Sequence, residues 1–158
     1  MDGHERSALT EQECRELLAS TPAAHLSAVH RGRPFIELVD LIHFDGELVA
    51  LLPDDSDIAR ALSTVISPRR LVAMQTDDLT EAHRWVRSVT VVARPRWIVG
   101  VEGLRACRRA AAACGLYAPL DAWFLALTHP ALSGHRTARR AGHLRLATTQ
   151  APKNAVAR

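Results

Sequence analysis

Along residues 9–52 the spacing of apolar side chains switches from helical to strand-like, and turn signals mark the switch points. The stretch LTEQECRELL (9–18) predicts a helix. Thr10 and Glu13 have the spacing of a capping box, Leu9 and Cys14 that of a hydrophobic staple, and Leu17 and Leu18 continue the buried stripe. Pro22 closes it. In AAHLSAVH (23–30) Ala24, Leu26 and Ala28 alternate with His25 and Ser27, as in a half-buried strand. RGRP (31–34) reads as a turn. FIELVDLIHF (35–44) is thinly interrupted by Glu37, Asp40 and His43, which predicts a strand buried on much of both faces. Asp45-Gly46 is a hairpin signal, and ELVALL (47–52) returns as the next strand.

The second half is less regular. SDIARALSTV (56–65) predicts a short helix with Ser56 or Asp57 at its N-cap. RLVAMQT (70–76), entered through Pro68, and WVRSVTVVA (85–93) predict strands, and Pro95 confines the latter to an edge or an end. LRACRRAAAAC (104–114) is an Ala- and Arg-rich helix stopped by Gly115. LDAWFLALT (120–128) suits a strand or a short helix by periodicity, and beyond residue 138 no periodicity survives. About six strands arranged as hairpins, with two or three helices, predict a mainly β fold: an antiparallel barrel with helices packed outside.

Composition narrows this picture without changing it. The 158 residues fit one domain, and 47% apolar with 23% charged residues is ordinary for a globular protein. No apolar run reaches the roughly 18–20 residues of a membrane helix. Residues 1–9 lack the apolar stretch of a signal peptide, so the expected location is cytoplasmic and no membrane partner is expected. Net charge is +3, but residues 138–158 hold Arg139, Arg140, Arg145, Lys153 and Arg158 with no acid. Residues 1–137 therefore sum to −2 (+3 minus +5). The expected organisation is a domain over 1–137 and a flexible basic tail over 138–158, dispensable for folding. Without interleaved aromatics, that tail gives little reason to expect nucleic acid.

Cys14, Cys107 and Cys114 contain no CxxC pair; on one helix, Cys107 and Cys114 would stand roughly 10 Å apart, beyond disulfide reach. Eight histidines form neither HxxxH nor HExxH, so no metal site is expected from ligand spacing. Nothing resembles a Ser-His-Asp or Cys-His arrangement.

The order helix, strand, RGRP, strand, Asp-Gly, strand, helix, strand resembles the pyridoxamine 5′-phosphate oxidase-like, flavin-binding split-barrel family. The stretches that carry the likeness are LTEQECRELLASTPAAHLSAV, GRPFIELVDLIHFDGELVAL, RRLVAMQTDD, WVRSVTVVARP and WFLALTHPALSGHR, spanning Leu9 to Arg136. The resemblance implies a six-stranded split barrel, with Trp123–Thr128 as the closing strand followed by a turn through Pro130 and Gly134 to Arg136. It also implies a homodimer with two flavin mononucleotides (FMN) at the subunit interface. The cofactor-binding set it implies is Glu37, Ser56, Arg60, Arg70, Gln75, Trp85 and Ser88, with no assigned catalytic residue.

Two departures stand out. Family members generally offer a basic residue with a hydroxyl after the third strand and at the start of the next helix. Here those places read Leu51, Leu52, Pro53, Asp54, Asp55, Ser56 and Asp57. Like charges 4 Å apart repel by about 4 kcal/mol at intermediate dielectric, so these aspartates oppose a phosphate unless Ser56, Arg60, Arg69 or Arg70 compensates. The cluster could equally cap the helix or hold a divalent cation. Secondly, Val86 and Arg87 separate Trp85 from Ser88-Val89, where the family usually has them adjacent, and Ala93 stands in place of the usual Gly.

Two readings follow. The first is an FMN-dependent oxidoreductase acting on a small molecule, with a deazaflavin as the alternative flavin. The second is a member that has lost flavin and uses its cleft for another ligand, for example haem on one of the histidines, or serves as a non-catalytic dimeric binding protein. Motif order points to the first and the acidic loop to the second; the first is preferred.

Overall fold

The computed structural model describes residues 6–63, 70–79 and 85–138. The sequence predictions that lie outside these residues are the last turn of the second helix, Pro68, Arg69, His83 and the tail beyond Ala138. The elements in chain order are β1 (Arg6–Ala8), α1 (Glu11–Ser20), β2 (Ala23–His30), β3 (Arg33–Phe44), β4 (Glu47–Leu52), α2 (Asp57–Ser63), β5 (Val72–Asp78), β6 (Trp85–Trp97), α3 (Val101–Ala113) and β7 (Trp123–Ala138).

Six of the strands close into an antiparallel barrel in the order β7-β4-β3-β2-β5-β6, with β6 returning to β7. Three hairpins are local. Arg31-Gly32 and Asp45-Gly46 turn the chain with positive φ at both positions, the twist-matched geometry that tight hairpins require. The pairings β2–β5, β4–β7 and β6–β7 are long-range and complete the circle. The short β1, absent from the sequence prediction, adds to β7 through Arg6–Thr137, Ser7–Arg136 and Ala8–His135.

Alternation sorts the side chains into two cores. The inner one gathers Leu26, Val39, Leu52, Met74, Val89, Val91, Leu125 and Leu127 with Leu17 and Leu18 of α1 and Ile58 and Leu62 of α2. Two helices expected outside the barrel thus contribute to its interior. Thr10 and Glu13 form the predicted capping box at the start of α1. Of the described helices only α3 lies outside, burying Cys107 and Ala111 against Ile42, Val49, Phe124 and Ala126.

Two strand predictions need correction. β3 is not buried on both faces throughout. Ile36 and Leu38 are each 67% exposed, because α3 covers the outer sheet only from Ile42 onward. The turn expected from Pro130 to Arg136 is instead strand. Val92 pairs with Ala131 and Arg94 with Thr128, so His129 and Pro130 together oppose Ala93 in a bulge, with His129 at φ 49°. A proline, which cannot donate to a ladder, is accommodated at such a bulge, and β7 runs on to Ala138.

Candidate functional site

The acidic loop joins β4 to α2. Leu51 and Leu52 are buried at the end of β4, whereas Asp54, Asp55 and Asp57 are exposed. Ser56 is the N-cap: its Oγ accepts from the Ala59 N–H at 2.9 Å and is 3% exposed. The same hydroxyl donates to Glu37 Oε2 at 2.6 Å, and the Ile58 N–H donates to Glu37 Oε1 at 3.0 Å. Glu37 thus reaches from β3 to the start of α2 and accepts from both the capping hydroxyl and a helix-start amide. A negative group favours that end of a helix, and here the chain supplies its own.

Among the described residues, the neighbouring cations Arg60 and Arg70 are already engaged. Arg60 Nη2 donates to the Asp55 carbonyl at 2.6 Å and lies 3.3 Å from Asp57 Oδ1. Arg70 Nη1 donates to the Ala61 carbonyl at 3.2 Å, toward the other end of α2. Among the described residues no group of three acidic, histidine or cysteine side chains is placed to hold a metal ion.

The remaining sequence-predicted residues lie elsewhere. Glu37 aligns with Leu26, and Leu26 with Met74, in a row that faces the inner core. Gln75 sits in the alternate row, Leu38–His25–Gln75–Thr90, on the outer face, and its Nε2 donates to the Asp77 carboxylate. Ser88 is buried between Asp77 and His135 on the flanking strands. Trp85 is half-buried at the start of β6, opposite Ala138. The structure therefore brings Glu37 and Ser56 together with Arg60 nearby, and separates Gln75 from Glu37 across the thickness of the sheet.

No family model matches the chain, and no curated protein matches it. Solved structures do. A FAD-binding protein from Mesorhizobium loti superimposes with a TM-score of 0.66 at 19% identity, over 84% of this chain and 98% of that one. The FAD-binding protein from Mycobacterium smegmatis gives 0.62 at 17%, over 82% and 98%. The haem storage protein HutZ from Vibrio cholerae gives 0.57 at 19%, over 77% and 92%. This chain has the pyridoxamine 5′-phosphate oxidase-like split-barrel fold.

On that split barrel the described residues at the β4–α2 loop do not fit an FMN phosphate. The phosphate would need the donors that Glu37 holds, and it would face Glu37 as well as three exposed aspartates. The sequence placed Glu37 on a strand and in the implied cofactor-binding set, without its partner on α2. Its pairing with Ser56 spans 19 residues and leaves no local pattern.

The outer sheet face is the other notable surface. Ile36 aligns with Ser27, Ser27 with Ala73, and Ala73 with Val92, beside the Leu38–His25–Gln75 row. Val29, Ile36 and Leu38 are 56–67% exposed and Val92 37%. Clustered apolar exposure of this kind marks interaction surfaces more than single exposed side chains do.

Proposed function

We propose that this chain is a homodimeric split-barrel binding protein that does not hold flavin mononucleotide by its phosphate, and that its interface cleft serves another small molecule. The observation that carries this reading is the Glu37 carboxylate seated on Ser56 and Ile58. The uncovered face around Ile36 and Leu38 supports the second copy. A lasting dimer of this type buries more than about 2,000 Å², and sedimentation should give a dimer at micromolar concentration. A folded monomer there would remove the dimer from the proposal.

The FMN-dependent oxidoreductase reading is favoured by the flavin-binding proteins among the structural neighbours. Titrating FMN into the wild type and an Asp54→Asn/Asp55→Asn double variant separates the two. We expect colourless protein and no flavin uptake by either. Under the flavin reading both bind, the double variant more tightly. Arg60→Ala or Arg70→Ala would then each weaken binding by roughly 10- to 150-fold, the worth of one charge-assisted contact. An absorbance spectrum adds a further discrimination, since a Soret band would identify haem as the alternative ligand.

A further inference from the structure

At one end of the barrel β6 ends in Trp97, which packs against the inner core, and β7 begins with Trp123; the two indoles meet with centroids 5.4 Å apart at a 54° tilt. They form one wall of a cavity of about 380 Å³, closed by Leu104 and Arg108 of α3 and by the Leu120–Phe124 segment. That volume lies in the range of small-molecule sites. Trp123 is 43% exposed, an unusual setting for a large ring.

The polar groups of the wall are few. Arg108 packs its guanidinium 5.9 Å from the Phe124 ring centroid, and its Nη2 donates to the Leu120 carbonyl at 2.6 Å. Two buried donors on this wall, Arg108 Nε and Trp97 Nε1, have no acceptor. Both atoms have almost no exposed surface, so they are enclosed behind the wall and do not face the cavity; a ligand there meets the indole faces and the outer part of the Arg108 side chain. Asp121, a carboxylate in the lining, is exposed.

We propose that this cavity binds a small planar aromatic carboxylate, its ring against the Trp97 and Trp123 indoles and its carboxylate against Arg108. The tilted indole pair offers apolar ring surface to a flat body, and the Arg108 guanidinium offers the cation that favours a carboxylate. One half-engaged arginine with Asp121 nearby suits a monoanion better than a phosphate dianion. The proposal does not depend on how the Glu37 loop is read.

The test is calorimetric titration of the full chain with 2-naphthoate and with its neutral counterpart 2-naphthylmethanol, alongside the indole N–H resonances. In the wild type the carboxylate should bind at least about 10-fold more tightly than the alcohol, the lower bound for one charge-assisted contact. The Trp97 resonance should shift. Arg108→Gln should bring the ratio close to one while leaving the alcohol's affinity unchanged, and Arg108→Lys should restore part of it. Trp123→Ala should weaken both ligands, and Asp121→Asn should favour the carboxylate further. Equal affinity for the two ligands in the wild type would overturn the proposal. So would the absence of heat and of any Trp97 shift, or an Arg108→Gln variant that weakens both ligands alike, since that marks a purely structural arginine.

Discussion

Gly134→Ala is expected to destabilise the protein by about 3 kcal/mol, the upper end of the usual cost of overpacking. An alanine Cβ at this position would stand 2.6 Å from Cys14 Sγ, 3.0 Å from Leu9 Cδ1 and 3.2 Å from Leu9 Cβ. None of these neighbours retreats easily. The Leu9 N–H donates to the Gly134 carbonyl at 2.9 Å, holding the chain before α1 onto β7. Cys14 is 2% exposed, a short side chain in the first turns of a capped helix; burial pushes its thiol pKa up, so it packs as a neutral group. The alanine must push α1 outward, opening the inner core at Leu17 and Leu18. Urea denaturation measures the loss. The diagnostic companion is Cys14→Ala/Gly134→Ala, in which the sulfur that causes the worst contact is gone. This double variant should be at least about 1 kcal/mol more stable than additivity of the single changes allows, because the residues touch. Strict additivity would mean that the contact with Cys14 is not what makes glycine necessary.

Removing the Glu37 carboxylate should cost nearly as much, by a different route. Glu37→Leu leaves the Ser56 hydroxyl and the Ile58 N–H without their acceptor. Each buried donor left unpaired costs about 1–3 kcal/mol, about 2–6 kcal/mol for the pair, and the apolar burial that leucine gains brings the expected loss to roughly 2–4 kcal/mol. Ser56 is too deeply buried for water to replace the carboxylate freely. Glu37→Gln keeps one acceptor oxygen and should cost about 1 kcal/mol, a typical net value for one neutral hydrogen bond. The ordering Leu worse than Gln, measured by the same denaturation curves, is the prediction. A Glu37→Leu protein as stable as the wild type would show that the carboxylate does not secure α2. The support it lends to the loss of the phosphate site would fall with it.

What could be read from the chain was what neighbours in sequence decide among themselves. The capping box at Thr10–Glu13 and the Asp45-Gly46 turn are written within four residues. The limits of β2 and β4 follow from a period of two and from their bounding turns. The order of these elements was enough to suggest the split barrel. The extent of β7 was not legible, because Pro130 reads locally as a break; only pairing with β6 shows that a bulge absorbs it. The inner placement of α1 and α2 was hidden for a similar reason. An amphipathic helix shows that one face is buried but not against which surface, and that depends on closing the barrel through β4–β7 and β6–β7.

The site divides along the same line. Sequence alone established that three aspartates and no basic-hydroxyl pair occupy the loop after β4, since residue identity there needs no folding. Only the tertiary structure decided what the loop's donors do. It brought Glu37 within 2.6 Å of Ser56, turned Arg60 and Arg70 onto backbone carbonyls, and put Gln75 on the opposite side of the sheet from Glu37. It likewise joined Trp97, Arg108 and Trp123 around one cavity. Hydrogen bonds and ring contacts act over a few ångströms, so side chains far apart in sequence share a site only after the barrel has closed.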